Sequence, residues 1–135
     1  MNIDKLMSDL LRDEGKRNKM YLDSLDIPTI GVGHNLQVGI SDAAVNQILL
    51  DDIAIVLSDM DRIIPWYKQL SETRQRVLAN MVFNMGITRL IQFRKFLNAL
   101  QSGAWDLAAE EMLDSKWAQQ VGQRAVRLAR MMRQG

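Results

Sequence analysis

Almost every part of this chain repeats its apolar residues at helical spacing, but the stretch from Asp13 to His34, DEGKRNKMYLDSLDIPTIGVGH, does not. From Met20 to His34 the pattern changes to β-branched and aromatic residues broken by Asp23, Ser24, Asp26, Pro28, Gly31 and Gly33, which predicts a small β-hairpin or three-stranded sheet. One short β segment in an otherwise helical chain restricts the fold to α+β, mostly α, with the sheet confined to the N-terminal end. Ahead of it, Ile3, Leu6, Met7, Leu10 and Leu11 predict a first helix, with Asp4 serving its N-terminal end and Gly15 suited to terminate it near Glu14.

Behind the β segment, Ser41 is a plausible N-cap for a long helix that Pro65 stops. Its buried stripe is predicted as Val45, Ile48, Leu49, Ile53, Val56, Leu57 and Met60. From Ser71 onward helical periodicity returns in five or six pieces punctuated by Gly86, Gly103 and Gly122. Val77, Leu78, Met81, Val82, Met85, Leu90, Phe93, Phe96, Leu97 and Leu100 are the core candidates. The expected organisation is a single domain: an α+β lobe over residues 1–40, a joining helix over 41–64 and an all-α lobe over 65–135.

A chain of 135 residues can bury a core without staples, and its single His and lack of Cys leave no disulfide framework and no thiolate chemistry. With 47% apolar residues, 24% charged residues and a formal charge of +1, it has the composition of an ordinary globular protein, and bulk charge names no partner. The N-terminus interrupts its apolar residues with Asp4, Lys5, Asp9 and Arg12, so no signal-peptide core and no membrane span is visible. The expectation is a protein made in a reducing cytoplasm, without stable membrane association, that needs a separate factor to reach any target outside.

Two carboxylates stand out on either side of the helix-to-sheet transition. Glu14 ends the first helix, where unpaired carbonyls disfavour an ionised carboxylate, and Asp23 follows nine residues later on the hairpin. Glycoside hydrolysis needs two carboxyl groups in unlike surroundings, one to protonate the leaving oxygen and one to activate water or offset positive charge. Spacing alone does not separate such a pair from two solvated surface acids.

The residues around them resemble the phage-type lysozymes, or bacteriophage endolysins. That family's pattern is a glutamate followed by glycine, then Tyr-x-Asp, then Thr-Ile-Gly-x-Gly-His. This chain has Glu14-Gly15, Tyr21-Leu22-Asp23 and Thr29-Ile30-Gly31-Val32-Gly33-His34. The likeness continues through the helix beginning at Ile40 to Ile53, the run Asn80-Met81-Val82-Phe83-Asn84-Met85-Gly86, Trp105-Asp106, Ser115-Lys116-Trp117 and Arg124-Ala125.

The resemblance implies a lysozyme-like fold and a monomeric peptidoglycan muramidase without metal or cofactor. Its substrate would be a peptidoglycan glycan strand, cleaved with inversion at the sugar carbon. It also implies roles for particular positions: Glu14 as general acid, Asp23 as the carboxylate that positions or activates water, and Thr29 as the hydroxyl that holds it. Gly33, Asn35, Phe83, Asn84, Trp117 and Arg124 match positions lining the substrate cleft, with Arg124 reaching the general acid.

His34, the lone histidine, has neither a second His nor a Cys with which to build a metal site. Asp52 falls on the predicted apolar stripe between Leu49 and Val56, where a carboxylate wants a cation, and the resemblance implies a buried His34–Asp52 ion pair. Gly31 and Gly33 have two readings, strand twist or close approach of a sugar to the backbone. Trp117 has two as well, core residue or ligand platform.

The chain also departs from the family pattern. Only six residues separate His34 from Ser41, where fuller members of the family carry a loop and an extra helix, so the front lobe is trimmed. Asp26 occupies a hairpin position where many relatives have glycine, and Val121 replaces a polar cleft residue.

Competing functions come from other classes. The last twenty residues contain Lys116, Arg124, Arg127, Arg130 and Arg133 and no acid, which would also suit nucleic acid or another anionic surface. No nucleic-acid partner is expected, because a basic terminal helix is commonly a solvated face. A silent wall-binding module and a lytic transglycosylase complete the alternatives.

Overall fold

A computed structural model describes all of residues 1–135. Its backbone forms two compact units, 1–47 and 48–135, and the division falls inside the long helix.

The first unit opens with α1 (Ile3–Glu14). Its N-cap is Asn2, two residues ahead of Asp4; the Asn2 side chain accepts the Lys5 N–H at 3.0 Å. Three strands follow: β1 (Arg17–Leu22), β2 (Pro28–Gly31) and β3 (His34–Asn35), antiparallel in the order β1-β2-β3. The register pairs Tyr21 with Thr29 on one side of β2 and Thr29 with Asn35 on the other. Between Arg17 and Tyr21 the β1–β2 pairing is irregular, and such bulges bend a strand and increase its twist.

A 3-10 turn over Leu36–Val38 leads to α2 (Asp42–Ile63), and Ser41 caps that helix by accepting the Ala44 N–H at 3.2 Å. Thr29 is the sole buried residue of the first unit, so the best-protected side chain there is a polar one.

The second unit carries the apolar core. After α2 come a 3-10 turn over Pro65–Gln69 and six helices: α3 (Glu72–Met85), α4 (Ile87–Leu90), α5 (Arg94–Gln101), α6 (Trp105–Leu113), α7 (Lys116–Val121) and α8 (Gln123–Gln134). Val77, Leu78, Met81, Val82, Leu90, Phe96 and Leu100 are buried as their spacing predicts, while Met85, Phe93 and Leu97 pack against the cluster from its edge. Each fully buried large side chain contributes about 1.5–3 kcal/mol of transfer free energy. Ala108 and Ala109 on α6 and Ala125 and Ala129 on α8 are also buried, and their small side chains let these two packed helices approach closely.

The predicted stripe of α2 requires correction. Only Val56 and Met60 are buried, whereas Val45, Ile48, Leu49, Ile53 and Leu57 are exposed. At 1.5 Å per residue a helix of 22 residues runs about 33 Å, and only its C-terminal part meets the core cluster that includes Ile64 and Tyr67.

Two polar fixtures hold the helical unit. The Tyr67 hydroxyl donates to Asp61 Oδ1 at 2.8 Å, and Lys68 Nζ lies 3.1 Å from the same oxygen, tying the end of α2 to the turn after it. Arg74 on α3 is buried. It donates from Nε to the Met132 carbonyl at 2.8 Å and from Nη2 to the Arg133 carbonyl at 3.0 Å, while its guanidinium stacks 3.8 Å from the Trp105 ring centroid. The last carbonyls of α8, which have no partners within their own helix, are satisfied in this way.

Candidate functional site

Glu14 is the last residue of α1, and the Gly15 N–H closes the helix on the Leu11 carbonyl at 3.0 Å. Gly15 has φ 74°, which turns the chain out of the helix toward β1. The Glu14 side chain reaches the turn between β2 and β3: a Cβ placed on Gly33 would stand 3.2 Å from Glu14 Oε2 and 3.4 Å from Glu14 Cδ.

Asp23 sits where β1 turns toward β2, and its side chain organises that turn. Oδ1 accepts the N–H of Leu25 at 2.8 Å and that of Ile27 at 2.9 Å. The Asp23 N–H donates to the Ile27 carbonyl at 3.0 Å, and the Asp23 carbonyl accepts the Asp26 N–H at 3.0 Å. Asp26 completes the loop with φ 61°, the one non-glycine residue in the left-handed region. One oxygen of the Asp23 carboxylate is thus saturated by backbone donors, which fixes the group and leaves Oδ2 for another partner.

Thr29 follows on β2. Its buried Oγ1 donates to the Ile27 carbonyl at 2.8 Å. Because the hydroxyl proton is committed there, Oγ1 acts as an acceptor toward any further partner.

On β3, His34 is exposed with Nε2 2.6 Å from the Gly39 carbonyl, a contact made within its own unit. Asp52 stands at an exposed position of α2, not at a buried one, because the part of that helix around it lies outside the core cluster. Asn35 spends its side-chain carbonyl on the Gln37 N–H at 2.8 Å and so caps the 3-10 turn.

In the second unit, Trp117 is a core residue, 5% exposed, whose indole Nε1 donates to Asn84 Oδ1 at 2.8 Å. One edge of it lines a cavity of about 460 Å³ with Phe93, Lys116 and Gln120. Arg124 forks from Nε and Nη2 onto Asn80 Oδ1 at 3.0 and 2.8 Å. Together with Phe83, Leu49 and Ile53, Arg124 and Asn80 line a larger cavity of about 510 Å³. Phe83 is well exposed.

The folded chain therefore brings Glu14 to Gly33, Asp23 and Thr29 to Ile27, Trp117 to Asn84, and Arg124 to Asn80. One of these partners carries no signal that a search for chemistry-bearing side chains would find. Ile27 acts through its peptide group, while Asn80 heads the run that resembles the family, though its pairing with Arg124 is visible only in the fold. No group of three His, Asp or Glu side chains is disposed to hold a metal ion.

A helix-terminal glutamate facing a three-stranded sheet, followed by a helical unit, defines a lysozyme-like α+β protein. Comparison with known proteins is consistent. Residues 12–134 match the family model described as phage lysozyme. The chain is similar to the pre-baseplate central spike protein Gp5 of Enterobacteria phage T4, at 31% identity over 155 residues covering 93% of this chain. It is also similar to a probable T4-type lysozyme of Dictyostelium discoideum, at 25% identity covering 96% of this chain and 94% of that protein. A third similarity, 33% identity over 57% of the chain and 58% of the relative, is to an endolysin of Salmonella phage P22. The chain spans only 27% of the length of the spike protein. This chain belongs to the phage lysozyme family, a family of glycoside hydrolases.

Proposed function

We propose that this chain is a muramidase, hydrolysing the β-1,4 bond between N-acetylmuramic acid and N-acetylglucosamine in peptidoglycan with inversion. The reading rests most directly on the pair of acceptors built around Ile27, the free Oδ2 of Asp23 and the Oγ1 of Thr29. A water that donates one proton to each acceptor presents its lone pair outward, the orientation required for direct attack on a sugar carbon. Glu14 then protonates the leaving oxygen from the other face of the sugar. Gly33, Asn35, Phe83, Asn84, Trp117 and Arg124 are the residues assigned to contact with the glycan.

Digestion of purified peptidoglycan, with mass analysis and anomer-resolved NMR of the fragments, tests the reading. A reducing muramic acid end of inverted configuration is the expected product, and Glu14→Gln abolishes it. Anhydro-muramic ends identify a transglycosylase instead, and full activity of Glu14→Gln removes Glu14 from the chemistry.

The protein works as a monomer. It accumulates in the host cytoplasm and reaches the wall through a lesion made by a separate membrane-permeabilising protein; no helix of the chain is long and apolar enough to cross a membrane. The similarity to a baseplate spike protein favours a second route of delivery with the same chemistry, from the virion inward. Mass spectrometry of purified virions against infected-cell cytoplasm separates the two.

A further inference from the structure

Gly31 and Gly33 lie two residues apart with nearly the same positive φ, 67° and 69°, yet their surroundings differ completely. A Cβ on Gly31 would meet nothing within 4 Å. A Cβ on Gly33 would meet three consecutive atoms of one side chain: Glu14 Oε2 at 3.2 Å, Cδ at 3.4 Å and Cγ at 3.6 Å. The Glu14 side chain takes part in no hydrogen bond or ion pair, so within the first unit its carboxyl is located by packing against Gly33 rather than by a polar partner.

We infer that Gly33 is a positioning residue for the general acid, its bare Cα forming the floor on which the Glu14 carboxyl rests. This rests on the reading of Glu14 as the acid, and it gives Gly33 a role beyond contact with the glycan. A methyl group at Gly33 lies in the tight range where one partner must give by a few tenths of an ångström. The partner able to give is the Glu14 side chain, a flexible chain ending at the reacting atom. Misplacement of a catalytic group by about 1 Å costs as much as a hundredfold in rate. Both glycines oblige an L-residue to adopt a left-handed conformation, so backbone strain is common to the two sites and the contact with Glu14 is not.

The comparison of Gly33→Ala with Gly31→Ala therefore isolates the contact. Thermal unfolding, kcat, KM and the pH–rate profile are measured for both on soluble glycan fragments, beside the parent and Glu14→Gln. The two alanine variants are expected to lose similar stability. Gly33→Ala is expected to lose at least about tenfold more kcat than Gly31→Ala, with KM close to that of Gly31→Ala and an altered pH–rate profile.

Equal kcat and unchanged pH profiles in the two variants overturn the inference, as does a loss at Gly33 confined to KM. Should either alanine variant unfold, Gly33→Asn and Gly31→Asn carry the same comparison, since asparagine tolerates positive φ. An active parent matched by an equally active Glu14→Gln refutes the role of Glu14 itself, an outcome distinct from equality of the two glycine variants.

Discussion

Asp23 and Thr29 are anchored to opposite sides of one residue: Ile27 gives its N–H to Asp23 Oδ1 at 2.9 Å and takes the Thr29 hydroxyl on its carbonyl at 2.8 Å. The two groups assigned to the attacking water are therefore positioned by the same short piece of backbone, and disturbing that turn moves both. Glu14, the proposed acid, instead ends α1 and lies against Gly33, so its placement is independent of the turn.

This separation predicts that the structural and chemical roles of Asp23 can be split. Asp23→Asn keeps an Oδ1 acceptor for Leu25 and Ile27 and should unfold near the parent temperature while losing nearly all lytic activity. Asp23→Ala leaves both N–H groups without their acceptor and should lose activity together with about 1–3 kcal/mol of stability. Urea unfolding beside a turbidity assay on cell walls measures both, and an active Asp23→Asn would remove the carboxylate from the mechanism.

Asp26 holds the turn in the left-handed region at a cost that glycine avoids. Asp26→Gly should raise stability by up to about 1 kcal/mol, offset in part by the greater freedom of glycine in the unfolded chain, with activity retained. A lower melting temperature in this variant would show that the Asp26 side chain stabilises the turn by more than its backbone strain costs.

Arg74 should be among the most sensitive positions away from the site. Burial pulls its guanidinium below the usual arginine range, and its bonds to the Met132 and Arg133 carbonyls, with the Trp105 ring beneath it, offset that cost. Arg74→Ala removes two charge-assisted hydrogen bonds and a stacked cation, for an expected loss of about 2–4 kcal/mol in urea unfolding. Arg74→Lys keeps the charge without the fork and should fall between. Hydrogen exchange should accelerate first in the last turn of α8.

The Asp61–Tyr67 bond gives stability a dependence on pH with opposite signs at the two ends. The Tyr67 hydroxyl, followed by Lys68, holds the Asp61 carboxyl below its ordinary value of 3.8. Its stabilisation is therefore complete above that value and is lost as pH falls below it. Burial, followed by the bond to Asp61, raises Tyr67 above its ordinary 10.0, so that contribution is present below pH 10 and lost as pH rises beyond it. Tyr67→Phe should flatten the melting-temperature profile at both extremes, and an unchanged profile would exclude the pair as its source.

What the sequence determined by itself was what short-range chemistry can decide. The β segment, although it opens at Arg17 and not at Met20, the end of α1 at Glu14 and Gly15, the Ser41 cap and the stop before Pro65 follow from backbone preferences within a few residues. The motif from Glu14 to His34 likewise carried the family, because residue type and spacing are properties of the chain alone. Tertiary structure decided which apolar faces meet a partner, since periodicity marks a face without saying what covers it; hence Val56 and Met60 are buried and Ile48 and Leu49 are not. It also decided the partners that act through backbone or through empty space. Neither the peptide group of Ile27 between Asp23 and Thr29 nor the missing Cβ of Gly33 beneath Glu14 has a side chain that sequence could display.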